Sequence, residues 1–155
     1  MSDELGYAVR LTATKDEAIN KVTEALKAEG FAVLTRIEID QAFEEKIGVH
    51  FRPYTILGAC NPNLAHAALT SAPEIGLMLP CNVTVEADIN GSLVRIMNPA
   101  IMMQTEELAD NEKLRAVASE AQACLQRVAE SLRVAPANHI DPRRPAPVPV
   151  VAQFG

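Results

Sequence analysis

Two short segments of this 155-residue sequence each place a cysteine beside an asparagine and a proline. They are Cys60-Asn61-Pro62 and Pro80-Cys81-Asn82. Two thiols that meet in space can form a redox pair or bind a soft metal ion such as Cu(I) or Zn(II). Their separation along the chain matches no CxxC pattern of zinc or thioredoxin sites, so the spacing leaves open whether the two thiols meet.

The three cysteines differ in their predicted surroundings. Cys60 ends a predicted strand before a helix, where free backbone N–H groups would stabilise a thiolate. The alternative is that Cys60 fills the core, because free cysteine is among the most buried residue types. Cys81 shares the strand parity of Val83, which predicts a side chain facing the packed side of a sheet. Cys124 lies within a long helical pattern and is interpreted as a packing residue.

Other polar residues flank the cysteine segments. His66 lies on the helix after Cys60 and could act as a third ligand or a base, or could simply be exposed. Arg52 and Tyr54 could present a guanidinium and a phenol to a carboxylate or phosphate, although an arginine at a strand end also lies there for packing alone. The candidate ligand-binding residues are Arg52, Tyr54, Cys60, Asn61, His66, Cys81 and Asn82, and the candidate metal ligands are Cys60 and Cys81.

Composition narrows the classes of partner. Fourteen Lys and Arg against twenty Asp and Glu give a net charge of -6, which disfavours binding to nucleic acid and to anionic membranes. The chain begins without a secretory signal pattern and contains no apolar run of membrane-spanning length, so we expect a cytoplasmic protein. Since glycine-rich phosphate loops, HExxH and GxSxG are missing, hydrolase and kinase chemistry are disfavoured, and whether the protein is an enzyme stays open.

The order of predicted elements is strand, helix, strand, short helix, strand, helix, strand, strand, helix. Helix starts are marked by a Thr14/Glu17 capping box, by Asp40 and by Asn61-Pro62, and Asn90-Gly91 marks a hairpin. The predicted strands are 7–11, 31–39, 54–60, 77–87 and 93–97, and the last helix begins near residue 110. This pattern indicates an α+β fold with a mixed or antiparallel sheet and helices mainly on one face, while the βα alternation up to residue 60 keeps a parallel sheet possible.

The chain divides into a single domain over 1–134 and an extended, proline-rich C-terminal tail over 135–155. Within the tail, Val148, Val150, Val151 and Phe154 follow the basic pair Arg143-Arg144. Such a segment could dock in extended form on a neighbouring subunit of a homodimer, or could be a free end.

The stretches 51–69 and 74–83, with 30–35 and Ile39-Asp40, resemble the family called domain of unknown function 302. The resemblance covers roughly residues 7–132. It implies a TATA-binding-protein-like α+β domain, strand-helix-four strands-helix with inserted short helices, that forms a homodimer, and it supplies no reaction. The residues that match the family signature are Tyr54, Gly58, Cys60, Asn61, Pro62, His66, Leu79, Pro80 and Cys81.

Three functional hypotheses follow from these residues. The first is a homodimeric domain that binds or senses a small ligand or a soft metal near the two Cys-Asn segments. The second is a structural protein-interaction module with buried thiols. The third is a thiol redox enzyme that uses Cys60 and Cys81.

Overall fold

A computed structural model describes residues 4–134 of the chain. In chain order its main elements are β1 (Gly6–Leu11), α1 (Lys15–Ala28), β2 (Ala32–Glu38), α2 (Ile39–Ile47), β3 (Tyr54–Cys60), α3 (Pro62–Ser71), β4 (Cys81–Asp88), β5 (Gly91–Met97), α4 (Glu106–Ala109) and α5 (Glu112–Val134). Two 3-10 helices, Pro73–Met78 and Pro99–Met103, precede β4 and follow β5. The predicted tail over 135–155 lies outside the described residues. Among those described, none of the helices combines the length and hydrophobicity needed to span a bilayer.

The strands form one sheet in the order β1-β5-β4-β3-β2, and every neighbouring pair is antiparallel. The predicted α+β fold is therefore confirmed in its antiparallel form, and the parallel alternative is wrong. Strand β3 lies between β4 and β2, as its apolar character on both faces predicted.

Local sequence signals set most of the helix boundaries. The Thr14 hydroxyl accepts a hydrogen bond from the Glu17 backbone N–H at 3.2 Å, and the Asn61 side chain accepts one from the Leu64 N–H at 3.2 Å. Asp40 was expected to cap α2, which is wrong. Helix α2 begins at Ile39, two residues earlier than a cap at Asp40 predicts, and the Asp40 carboxylate instead accepts the Tyr54 N–H at 3.1 Å, joining the start of α2 to the start of β3.

Helices α1 and α5 cover one face of the sheet. Alternate residues of β1, β3, β4 and β5 point toward these helices and form the main core, which includes Tyr7, Val9, Leu57, Ala59, Cys81, Val83, Val85, Val94, Ile96, Val22, Leu26, Leu125 and Val128. Because successive strand residues face opposite sides, the residues between them line the other face, which α1 and α5 leave uncovered.

A second apolar cluster lies beside the main core. Its buried members come from α3, the two 3-10 helices, α4 and the first half of α5: Ala68, Ala72, Ile75, Met102, Leu108, Leu114 and Ala118. Met78 and Leu79 pack against this cluster from its edge. Helix α5 therefore contributes its N-terminal half to one cluster and its C-terminal half to the other.

Two strand predictions differ from the structure. The apolar residues 77–79 were predicted to begin a strand, but Leu77 and Met78 end the first 3-10 helix and β4 starts at Cys81. Strand β2 was predicted to bury one face, yet Ile37 is 47% exposed. A bulge between Val33 and Thr35 interrupts the alternation, and β2 is an edge strand that pairs with β3 alone among the strands of residues 4–134.

A polar network connects α1 to the edge of the sheet. The Lys15 ammonium donates to Glu38 at 2.8 Å and to the buried Thr55 hydroxyl at 2.8 Å, and that hydroxyl donates to Glu38 at 2.7 Å. Burial alone would raise the pKa of Glu38, but the hydrogen bonds from Lys15, Thr55 and Arg36 outweigh it and lower this pKa to about 2. The ionised form of Glu38 is therefore favoured over the protonated form more strongly in the folded chain than in the unfolded chain.

The first prediction concerns stability in acid. Since the pKa of Glu38 is lower in the folded state than its ordinary value near 4.5, its contribution is complete above that value and is lost as the pH falls toward 2. Glu38→Gln should lower the free energy of unfolding at pH 7 by about 1–2 kcal/mol and flatten its dependence on pH across this window. Urea unfolding at several pH values measures both, with the exposed Glu44→Gln as control. An unchanged pH dependence in Glu38→Gln would contradict the role given to this network.

Candidate ligand-binding cavity

The uncovered face of the sheet carries a cavity of about 640 Å³. Its floor is formed by residues of four strands whose side chains point away from α1 and α5, among them Ala8, Tyr54, Asn82, Thr84, Arg95 and Met97. Its wall is formed by the segment 77–80 and by Ile101, and Leu5 lies at the rim. A volume of this size falls within the range typical of small-molecule sites.

The wall is apolar and is held from two sides. Pro80 packs directly over Gly58 of β3, where an added Cβ would come within 2.7 Å of the proline Cγ, so only glycine permits this approach. Met78 and Leu79 pack against the second apolar cluster. Leu77, in contrast, is 91% exposed at the mouth of the cavity. The base of the wall is therefore fixed by packing, whereas the Leu77 side chain at its end is left almost fully exposed by residues 4–134.

A buried carboxylate lies next to the floor. Glu86 is 4% exposed and forms ion pairs with Arg52 and Arg95, one to each of its oxygens. Burial would raise the pKa of Glu86, but the hydrogen bonds from the two arginines outweigh it and lower this pKa. One carboxylate shared by two guanidinium groups leaves one positive charge in excess. Arg95 brings that excess to the cavity lining.

Thr84 lies directly opposite Arg95 in the β4–β5 register. Its hydroxyl oxygen is shielded from solvent and has no hydrogen-bond partner among residues 4–134. An unpaired buried hydroxyl costs about 1–3 kcal/mol relative to a paired one. The floor therefore holds a polar group that a bound acceptor, reached by rotation of the threonine side chain, would satisfy.

The structure brings together three of the residues singled out in the sequence. Tyr54 and Asn82 line the cavity, and Arg52 contacts Glu86 immediately beside it. Tyr54 lies opposite Glu86 in the β3–β4 register, and its ring lies 6.1 Å from that of Phe51. Arg52 binds a carboxylate of the protein itself, and a role for Arg52 and Tyr54 in binding an external carboxylate or phosphate stays a prediction.

Asn61 and His66 lie away from the cavity lining. The Asn61 side chain caps α3, and its amide donates to the Glu29 carbonyl oxygen at 3.5 Å, which links α3 to the end of α1. His66 is exposed on α3, and its carbonyl accepts the Thr70 hydroxyl at 2.6 Å. These contacts give Asn61 a structural role in this fold.

Cys60 and Cys81 are close in the β3–β4 register but point to opposite faces. Ala59 pairs with Cys81, so Cys81 faces the main core with Ala59, whereas Cys60 is half-buried on the other side. Burial, followed by the charge of Cys60, raises the pKa of Cys81 to about 11. Within residues 4–134, no group of three or more His, Cys, Asp or Glu side chains could hold a metal ion. A soft-metal site at Cys60 and Cys81 stays a prediction.

The packing interpretation of Cys124 is confirmed, since it is buried against the main core. Burial also raises its pKa, although the nearby Arg127 opposes that effect. Burial thus disfavours the thiolate form of both Cys81 and Cys124, which favours a packing role for these two thiols over a redox role.

Sequence reasoning missed Arg95, Thr84 and Leu77. A partial signal was present for the first two, because strand alternation places Thr84 and Arg95 on the face away from the core. The predicted Asn90-Gly91 turn would have placed Thr84 opposite Met97. In the structure the turn residues are Ile89 and Asn90, Asp88 pairs with Gly91, and Arg95 lies opposite Thr84. Leu77 carried no such signal, since its position depends on a 3-10 helix that the apolar pattern did not reveal.

The fold and the cavity together define a small α+β domain with one covered and one uncovered sheet face. Residues 7–132 match the family model described as "Domain of unknown function DUF302", and the chain belongs to this family. It is also similar to an uncharacterised conserved DUF302 protein from Bacillus stearothermophilus, with 26% sequence identity and a TM-score of 0.68. That similarity covers 80% of this chain and 98% of the other. No curated protein matches the sequence.

The second prediction concerns thiol reactivity. In the native protein at pH 8, iodoacetamide should modify the half-buried Cys60 first, whereas Cys81, with a pKa of about 11, should present about one thiolate per thousand molecules. Mass spectrometry of timed samples measures the order of modification, and a guanidinium-denatured sample provides the control in which all three thiols react. Equal rates for Cys60 and Cys81 in the native state would contradict the buried, protonated state assigned to Cys81 and would favour the redox hypothesis.

Proposed function

We propose that the protein is a small-ligand-binding domain whose uncovered sheet face takes a compact, mainly apolar molecule that carries an acidic group. The cavity beside Arg95 carries this proposal, because it combines an apolar wall with a floor on which Arg95 carries one excess positive charge beside a few polar side chains. A few polar groups within an apolar lining are typical of small-molecule sites. Medium-chain carboxylates have the corresponding chemistry.

Each part of such a ligand has a counterpart in the cavity. Its apolar part would contact Leu77, Leu79 and Met97, and the acidic group would accept hydrogen bonds from the Arg95 guanidinium. Rotation of Thr84 would add a second donor and give its hydroxyl the partner that it lacks within residues 4–134. Arg52 continues to neutralise Glu86, so Arg95 can turn toward the ligand without leaving that buried carboxylate unpaired.

The third prediction tests this charge assignment. Octanoate should bind to the full chain, and Arg95→Met should weaken its affinity by about tenfold because a charge-assisted hydrogen bond is lost. Affinity for 1-octanol, which has the same apolar part, should change little. Isothermal titration calorimetry measures both affinities.

Arg10→Met is the matched control. Arg10 lies on the same face of β1 as the cavity residue Ala8 and pairs with Asp88, but it is outside the cavity lining. This variant should bind octanoate as the unmodified protein does. The proposal is wrong if neither octanoate nor 1-octanol binds, or if Arg10→Met weakens octanoate binding as much as Arg95→Met.

A separate observation supports the homodimer predicted from the family resemblance. Four large apolar side chains on or next to β2 and α2 are exposed: Leu34, Ile37, Ile47 and Val49. Helix α2 has no fully buried residue of its own. Large apolar side chains exposed on neighbouring elements are typical of interaction surfaces, and we propose that a second copy of the chain covers them.

The fourth prediction tests that surface. The protein should sediment as a dimer, and Ile37→Asp should shift it to a monomer because a carboxylate would be buried without a partner at the interface. Because Ile37 is already partly exposed in the single chain, the substitution itself should change the melting temperature of that single chain little. Sedimentation velocity measures the mass, with Ile89→Asp at the β4–β5 turn as control. A monomeric unmodified protein would exclude the dimer.

A further inference from the structure

The cavity floor changes its chemical character along strand β4. The β4 residues that face the uncovered side are Asn82, Thr84 and Glu86, in that order from the wall at Pro80. Arg95 of β5 lies opposite Thr84. A ligand that lies along β4 therefore meets the apolar wall first, then Asn82, and then the guanidinium and the hydroxyl that would bind its acidic group.

Asn82 is a polar group between apolar neighbours. Its side chain is exposed in the cavity, and its carboxamide has no hydrogen-bond partner within residues 4–134. The residue opposite it on β3 is Gly58, which has no side chain and is covered by Pro80. On the other side, the β4–β5 register brings the apolar Met97 next to it. The Asn82 carboxamide is thus available to a polar group of a ligand.

The hydrogen-bonding capacity of Asn82 indicates which polar group that would be. A carboxamide has two N–H donors and a carbonyl acceptor, so it can pair with either the C=O or the N–H of an amide in the ligand. A plain alkyl chain would displace water from Asn82 and leave its carboxamide without a partner, which weakens binding. A simple alkyl carboxylate therefore uses both ends of the cavity but not the polar group between them.

The spacing of these groups fits an acid whose amide lies one carbon from its carboxylate. The Cα atoms of Asn82 and Thr84 are about 7 Å apart, since they are two residues apart on one strand. One extended amino-acid residue spans roughly 3.5 Å, and the long, flexible side chain of Arg95 covers the remaining distance. Beyond the amide, an acyl chain would continue toward Leu79 and Leu77 of the wall.

We infer that the cavity binds an N-acyl amino acid, with the acyl chain against the wall at Leu77, the amide at Asn82 and the carboxylate at Arg95. The inference rests on the proposed function and names the class of its ligand. The carboxyl end of a peptide offers the same carboxylate and first amide, but its further amides would lie against the apolar side chains of the wall. An acyl chain has no such groups and is therefore the better match.

The test compares two isomeric ligands, N-octanoylglycine and N-butanoyl-6-aminohexanoate, by isothermal titration calorimetry with the full chain. Both have the same composition, chain length and carboxylate, but the second carries its amide where the chain would meet the wall. N-octanoylglycine should bind about tenfold more tightly, because only its amide lies at Asn82. Asn82→Leu should weaken N-octanoylglycine about tenfold and leave the isomer nearly unchanged, so that the preference disappears.

Asn63→Leu is the matched control, since Asn63 is exposed on α3 and lies outside the cavity lining, and it should leave both affinities unchanged. Retained binding of the isomer shows that Asn82→Leu still folds, and the comparison of the isomers in the unmodified protein needs no variant. Equal binding of the isomers there would overturn the inference, as would a preference that survives Asn82→Leu. Tighter binding of N-acetyl-Leu-Leu-Gly than of N-octanoylglycine would also overturn it, because the site would then recognise peptide ends.

Octanoate and Arg95→Met, measured alongside, separate this inference from the proposed function. If octanoate binds with the expected dependence on Arg95 while the two isomers bind equally, the acidic-ligand site stands and the recognition of an amide is wrong. If neither octanoate nor the isomers bind, both proposals are wrong. If N-octanoylglycine depends on Asn82 but not on Arg95, the charge assignment of the proposed function fails, and with it the order of groups inferred along β4.

Discussion

Helices α1 and α5 cover only one face of the five-stranded sheet, and this constraint governs the remaining architecture. A strand residue that faces away from these helices is exposed to solvent, covered by another segment, or available for binding. Different parts of the sheet show the first two cases. Glu86 is covered by two arginines, Gly58 is covered by Pro80, and the floor between them stays open as a cavity.

The Glu86 cluster shows how a structural solution can prepare a binding site. A buried carboxylate without a partner would be strongly destabilising, and a single arginine would already compensate its charge. The structure supplies two, from the loop before β3 and from β5. The surplus leaves Arg95 at the cavity with a charge that the fold itself does not fully neutralise, so the stability of the sheet and the proposed ligand binding depend on the same three side chains.

Features encoded by near neighbours in the chain could be predicted from the sequence. Thr14, Asn61 and the Asn90-Gly91 hairpin signal act through contacts within a few residues, and the two helix starts and the hairpin itself were placed correctly, although β4 begins later than predicted. Asp40 and Leu77 were misassigned because their surroundings come from distant segments. Asp40 looks like a helix cap until β3 brings the Tyr54 N–H to it. Tyr54 and Asn82 were found as candidates, but Arg95 becomes visible only when the strands are paired.

Helix α5 runs from the second apolar cluster into the main core, and two residues of the cavity wall pack against that second cluster. The cavity wall is thus anchored twice, on the second cluster through Met78 and Leu79 and on the sheet through Pro80, which lies over Gly58. A substitution that loosens the second cluster therefore reaches the cavity through its wall, even where it touches no residue of the sheet.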